Sequence, residues 1–332
     1  MAKRRNSRKM QKIEPSQTSL TFTMGESGST KWIDLAEVTS IVDRRLNRQG
    51  RQYVVSGFTV YAPGLDPTAA GQQVTISLST IPNTWPAHNA WVKSRALWEE
   101  MRDLVLDDNP SVAGKWADFK VFMDSDHAKA TYDAATGKWS TNLYPEDVSA
   151  TVAKLTGRDW EYAQIVMPQH DVDAATGLPD VALQMNLHML GGDVTAAQSH
   201  IDGSFAMIEG YENSRAQVQV APDVSPLMSS SWMTLLNDKG SQEPELSDVI
   251  EDENDTPPYD IYNMPGSSGN LAKPLIASVA SASGQNPVVH GQGFSAPCGL
   301  IRVDFTGPVP TKVIVHLAPG PVRGLLSAPM GQ

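Results

Sequence analysis

Apolar and polar residues alternate with a period of two along most of this chain, and that period predicts strands. Residues 19–24 (SLTFTM) alternate cleanly. Residues 52–62 (QYVVSGFTVYA) are rich in aromatic and β-branched side chains, and Pro63-Gly64 stops them. Residues 73–81 (QVTISLSTI) set Val74, Ile76 and Leu78 on one face. Further strands are expected at 116–123, 160–167, 181–190, 204–211, 214–220, 271–280, 300–305 and 312–317. Gly307-Pro308-Val309-Pro310 reads as a hairpin turn between the last two, and 318–332 as a Pro/Gly-rich extended tail.

The period changes over residues 86–107. Trp91, Trp98, Met101, Leu104 and Val105 fall on one stripe, which predicts an amphipathic helix with both tryptophans in the core. Asp107-Asp108-Asn109-Pro110 ends it. A second short helix is expected over 225–238, where Ser225-Pro226 precedes Leu227, Trp232, Leu235 and Leu236. Trp32, Ile33, Leu35, Val38, Ile41 and Val42 fit either a short helix or a bent strand.

About eight to ten strands, two helices and no βαβ alternation predict an all-β chain. The natural architecture is a single jelly-roll, a Greek-key antiparallel sandwich with long loops and two short helices. A parallel sheet is not expected. The expected organisation is a disordered basic arm at 1–15, a shell body at 16–318 and an extended tail at 319–332. Long connections at 124–157 and within 225–270 are the parts able to project.

Charge changes the picture at one end. The chain carries 26 Lys+Arg against 37 Asp+Glu, a net charge of −11. Six of the cations, Lys3, Arg4, Arg5, Arg8, Lys9 and Lys12, lie in the first twelve residues, where no acid is present. With those six set apart, residues 13–332 carry −17. A block of like charges of this kind reads as a disordered tail that binds nucleic acid, serves as a nuclear localisation signal, or both. It lacks the apolar run of a secretory signal. Arg44, Arg45, Arg48 and Arg51 form a second basic cluster, read either as a solvated loop or as a surface that continues the arm.

Candidate chemistry is sparse. No phosphate-cradling Gly-rich loop, HExxH or GxSxG appears, and the seven histidines have no ligand spacing. His188 and His316 read as satisfied strand residues. Cys298 reads as a buried inert thiol. Asp171 and Asp173 offer no defensible acid–base pairing. The acidic stretch 242–260 carries Glu243, Glu245, Asp248, Glu251, Asp252, Glu253 and Asp255. It reads as a solvated surface, with Glu251, Asp252, Glu253 and Asp255 as weak calcium candidates, because hard oxygen ligands are what calcium takes. No other cofactor is expected. No run reaches the roughly eighteen apolar residues of a membrane span.

Several motifs resemble the capsid proteins of small circular single-stranded DNA viruses that encode their own replication initiator. They are Gly191-Gly192-Asp193, Ile208-Glu209-Gly210-Tyr211 with Ser214-Arg215, Trp232, Pro257-Pro258-Tyr259-Asp260, and Gly293-Phe-Ser-Ala-Pro-Cys-Gly-Leu300. The resemblance covers about residues 190–305, plus the arm by type. It implies a non-enzymatic jelly-roll subunit that self-assembles into an icosahedral shell and packages single-stranded nucleic acid, DNA by the resemblance. The virion, and the host nucleus during assembly, would be its locations.

Stoichiometry follows from charge. Each nucleotide brings one negative charge, and a genome encoding this chain and a replicase needs roughly 2,000 nucleotides. Sixty arms supply about 360 cations and 180 arms about 1,080. More than 60 copies are therefore expected, or Arg44, Arg45, Arg48 and Arg51 share the task. The alternative is a β-sandwich binding module, for carbohydrate or adhesion, with a basic localisation tail.

Overall fold

A computed structural model describes residues 15–63, 65, 73–114, 116–135, 137–146, 160–167, 183–194, 203–215, 263–268, 276–283, 287–308 and 310–331. In chain order the strands are β1 (Ser19–Met24), β2 (Ser29–Asp34), β3 (Arg51–Tyr61), β4 (Gln73–Thr80), β5 (Phe122–Asp124), β6 (Tyr132–Asp133), β7 (Lys138–Trp139), β8 (Gln164–Met167) and β9 (Leu183–Leu190). They continue as β10 (Gly203–Ala206), β11 (Ile276–Ser283), β12 (Val288–Gly291), β13 (Phe294–Ala296), β14 (Leu300–Thr306), β15 (Thr311–Leu317), β16 (Pro319–Gly320), β17 (Gly324–Leu325) and β18 (Ser327–Pro329). Among the described residues three α-helices interrupt them: α1 (Leu35–Asp43), α2 (Trp85–Asp108) and α3 (Met207–Arg215).

The chain is mostly β, with two antiparallel sheets at its centre. One runs β1-β15-β3-β12, with β13 and β18 also paired to β3. The other runs β11-β4-β14-β2. Period-two alternation builds the space between them. Leu20, Phe22 and Met24 from β1, Val74, Ile76 and Leu78 from β4, and Val313, Val315 and Leu317 from β15 are all buried in one cluster. In β3 the alternation slips, because Val55 and Phe58 both face inward. Ser56 is the extra residue: Val55 pairs with Leu317 and Gly57 with His316, so a bulge absorbs the change of phase.

Two expectations about connections fail here. Residues 307–310 do not close a hairpin, since β14 belongs to the second sheet and β15 to the first. The turn, held by Thr311 Oγ1 donating to the Pro308 carbonyl at 2.9 Å, carries the chain across the sandwich. The residues after 318 fold back rather than trail away: β16 pairs with β17, and β18 pairs with β3. Burial of Leu325 and Met330 gives the reason.

A third sheet lies under α2 and α3. Its centre is β9, with β10 along one edge and β8 and β5 sharing the other. The β9–β10 and β5–β9 pairs are parallel, against expectation. Alternation reports which face a residue takes and carries no information on strand direction. Ile165, Met185, Leu187, Phe205 and Ile208 form a second core with Trp91, Leu97, Phe119 and Val121.

The segment 204–211 is part strand and part helix, β10 followed by α3. Phe205, Met207 and Tyr211 fit a period of two, and Met207, Ile208 and Tyr211 a helical one. Residues 116–121 and 160–163 lie outside any ladder. The ambiguous region resolves into β2 and α1. The helix expected at 225–238 and most of the strand expected at 214–220 lie outside the described residues.

The long helix α2 starts behind Thr84 with Pro86 in its first turn and ends as the Asn109 amide donates to the Val105 carbonyl at 2.9 Å. Its buried positions are Pro86, Ala87, Ala90, Trp91, Ser94 and Leu97. Trp98 and Met101 are only half-buried, and Leu104 and Val105 are 65% and 53% exposed. At 24 residues α2 is about 36 Å long and outruns the core beneath it.

Candidate nucleic-acid interface and a buried polar network

The arm residues Lys3, Arg4, Arg5, Arg8, Lys9 and Lys12 lie outside the described residues, but the point where the chain enters the body is defined. Helix α1 ends at Arg44, which takes a left-handed conformation with φ 55° and turns the chain. The Gln17 amide donates to Asp43 Oδ1 at 3.1 Å, and the Ser16 hydroxyl also bonds that carboxylate. Arg45 donates from Nη1 to the Pro15 carbonyl at 3.0 Å. The root of the arm is thus held at the end of α1, beside Arg44 and Arg45.

The other two cluster arginines are committed elsewhere. Arg48 lies 3.4 Å from Asp118 Oδ1 and 5.9 Å above the Trp116 ring. Arg51 donates from Nε to Ser327 Oγ at 2.8 Å and from Nη2 to the Ser327 carbonyl at 3.0 Å, which ties the C-terminal segment to β3. The structure brings Arg44 and Arg45 to the arm root, while Arg48 and Arg51 have partners on other segments.

The calcium candidates Glu251, Asp252, Glu253 and Asp255 lie outside the described residues, as do Asp171, Asp173, Trp232 and 257–260. Among the described residues no group of three or more His, Cys, Asp or Glu side chains could hold a metal. Two of the motif segments do meet. Asp193 Oδ1 accepts from the Ala206 amide at 2.7 Å, and Glu209 bonds Ser268 beside the Gly191–Ser267 bridge. Burial raises the Asp193 carboxyl to about 7, with Glu209 adding to the shift. In the 293–300 segment, Cys298 and Gly299 both have positive φ, and a Cβ on Gly299 would lie 2.9 Å from the Tyr53 ring. Cys298 is fully buried, which pushes its thiol far up and keeps it inert.

The most unusual chemistry is inside. Asp34 caps α1: Oδ1 accepts from the Ala36 and Glu37 amides at 3.0 and 3.2 Å. Its Oδ2 accepts from Gln49 Nε2 at 2.9 Å, Trp160 Nε1 at 3.1 Å and the Tyr162 hydroxyl at 3.4 Å. Glu37 Oε2 accepts from Asn142 Nδ2 at 3.0 Å, and Oε1 bonds the Tyr144 hydroxyl at 3.0 Å. Asn142 Oδ1 is 2.7 Å from His127 Nε2. Because the Met123 amide donates to His127 Nδ1 at 3.0 Å, the ring proton sits on Nε2 and donates to Asn142. Trp32 stacks on His127 with centroids 5.1 Å apart.

Both carboxyls are fully buried, which raises Asp34 to about 6 and Glu37 to about 8. Burial is the larger cause for Glu37, and the charge of Asp34 adds to it. Burial also lowers His127 to about 3. Every oxygen of the pair has a partner, so the network joins α1 to Gln49 and to the segments around residues 121–127, 139–144 and 160–162. Perturbed carboxyl pairs also mark catalytic sites, but here each oxygen faces a protein donor rather than an opening. Sequence reading passed over these residues. The one available signal was Asp34-Leu-Ala-Glu37, the spacing of a capping box ahead of an apolar run.

Next to the network is a groove of about 440 Å³, lined by Trp98, Met101, Val105, Trp116, Asp118 and Lys120 among others. The Lys120 ammonium lies 5.3 Å from the Trp116 centroid and 4.5 Å from that of Trp160. Asp118 offsets its charge, and burial lowers its pKa. The groove is aromatic and close to neutral, able to stack a flat ring without attracting a particular charge.

No known protein family, no curated protein and no solved structure matches the chain.

Proposed function

We propose that the chain is a viral capsid protein, a jelly-roll subunit that assembles with copies of itself into an icosahedral shell of more than 60 subunits and packages single-stranded nucleic acid through its basic N-terminal arm. The observation that carries the fold part is strand order. The paths β1-β15-β3-β12 and β11-β4-β14-β2 set β1 beside β15, and among their eight strands the chain changes sheet at nearly every connection. That order supports the reading as an eight-stranded jelly roll, a form used by shell-building proteins. The functional part is supported by charge. Six cations without an acid precede a body of −17, and the arm root is tied to α1 beside Arg44 and Arg45. The body repels a polyanion and the arm attracts one, so one chain can form a wall and hold what the wall encloses. The motif resemblance points the same way, and DNA follows from it.

The test is direct. Purified full-length protein is imaged by negative-stain electron microscopy, with nucleic acid measured by absorbance and nuclease protection. Closed particles of uniform diameter that protect nucleic acid are the expected result. A monodisperse monomer would overturn the reading. A second reading, a carbohydrate-binding module with a localisation tail, draws on the groove lined by Trp98 and Trp116. It requires the monomer or a small oligomer, and sugar-dependent quenching of tryptophan fluorescence.

A further inference from the structure

Trp85, Asn89 and Lys93 lie four residues apart along one face of α2, and Tyr211 and Arg215 lie four apart on α3. The two stripes face each other. Asn89 Nδ2 donates to the Tyr211 hydroxyl at 3.2 Å, and the Trp85 and Tyr211 rings meet edge to face at 6.2 Å. Arg215 reaches back over both rings, its guanidinium 5.3 Å from the centroid of Trp85 and 5.9 Å from that of Tyr211. Its Nη1 donates to the Tyr211 hydroxyl at 3.3 Å, while its Nε is buried without any acceptor. A buried donor left unmatched is costly, and a guanidinium donor costs more than a neutral one.

Lys93 is the second cation at this place. Burial and then the charge of Arg215 lower its pKa. Five other described cations take acidic partners, Arg48 with Asp118, Arg95 with Glu99, Lys129 with Asp126, Arg302 with Asp124 and Asp304, and Lys312 with Glu146. Among the described residues neither Lys93 nor Arg215 has an ion pair. Of the acids of α3, Glu209 bonds Ser268 through Oε1 while its Oε2 is buried without a hydrogen-bond partner, and Glu212 accepts from the Met264 amide. Among the described residues Lys93 and Arg215 thus lie near each other with no acid paired to either, and one guanidinium donor is buried unmatched. Together they ask for an anion.

We propose that Lys93 and Arg215, framed by Trp85 and Tyr211, form a phosphate-binding site for single-stranded nucleic acid on the body of the protein. This deepens the packaging reading and rests on it. A guanidinium held against aromatic faces presents its donors in a fixed fork, the geometry that phosphate oxygens accept. The half-buried indole of Trp85 gives the neighbouring base a surface to stack on, while buried Tyr211 holds the guanidinium in place. The site adds a contact away from the arm, on the face made by α2 and α3.

The experiment uses the full-length chain with its six arm cations replaced by glutamine, and fluorescence anisotropy of a labelled oligothymidylate over a range of salt. Residual binding is expected. Lys93→Gln should weaken it several-fold and reduce the slope of log affinity against log salt by about 0.7, one contact on a single strand. Lys93→Arg should restore both, which a purely structural role would not predict. Loss of all binding in the arm-neutral chain, or binding unaltered by Lys93→Gln, overturns the proposal. The arm's role fails separately, if neutralising the arm leaves affinity unchanged.

Discussion

The Glu37 carboxyl lies one turn along α1 from that of Asp34, and the Asp34 charge helps burial to raise Glu37 to about 8. Both groups bind protons more tightly when folded, since their ordinary values are 4.5 and 3.8. Each therefore contributes stability that is complete at low pH and lost as pH rises through the folded value. For Asp34 the loss runs from about 3.8 to 6, and for Glu37 from about 4.5 to 8. Asp193, raised to about 7, acts in the same direction. His127 and His188, lowered to about 3 and about 4, act oppositely, but only below 6.5. Above pH 6.5 the histidines and Asp34 have finished titrating, and Glu37 and Asp193, the two of these groups still active, both point to loss. The chemical-denaturation midpoint should fall between pH 6.5 and 8, and Glu37→Gln should flatten that fall. A midpoint that rises across this window would contradict the buried pair.

The exposure of the α2 end gives a second prediction. Leu97→Ala empties a buried site and should cost about 2–5 kcal/mol. Leu104→Ala, on the same helix and equally apolar, should change stability by less than about 0.5 kcal/mol. Urea denaturation of the two variants separates them. Equal costs would mean that the apolar stripe is buried to its end.

Gly291 gives a third. A Cβ there would lie 1.9 Å from the Phe58 ring, deep in the first sheet. Gly291→Ala should destabilise by more than about 1 kcal/mol, through strain or displacement of Phe58. Gly25→Ala, with no atom within 4 Å of the new methyl, should be close to neutral. Thermal melts of both variants decide the matter.

The arm gives a fourth. Replacing Lys3, Arg4, Arg5, Arg8, Lys9 and Lys12 with glutamine should lower the salt slope of single-strand binding by about 4, from six contacts at about 0.7 each. Arg45→Gln should leave the slope of the arm in place while releasing Pro15 from α1. Amide exchange at Gln17 reports that release.

Much of the sandwich was legible in the chain. Leu20, Phe22 and Met24, and Val74, Ile76 and Leu78, alternate because one face of each strand meets the core and the other does not. The site was less legible. Asp34, Gln49, His127, Asn142 and Tyr162 are scattered over nearly 130 positions and have no common spacing, so only folding could assemble them. Arg48 and Arg51 looked like part of one basic cluster. Their partners, Asp118 and Ser327, come from remote parts of the chain.

By itself the sequence determined which residues of β1 and β4 face inward, where β1, β3, β4, β14 and β15 lie to within a residue or so, and that a cationic segment precedes an anionic body. Those properties depend on neighbours a few positions away, through side-chain period, turn residues and summed charge. The tertiary structure alone decided that β14 and β15 belong to different sheets, that β9 has parallel neighbours, that α2 leaves its last apolar residues in solvent, and that Lys93 lies within the field of Arg215. Each of these depends on which distant segment lies alongside, and local periodicity carries no record of that choice.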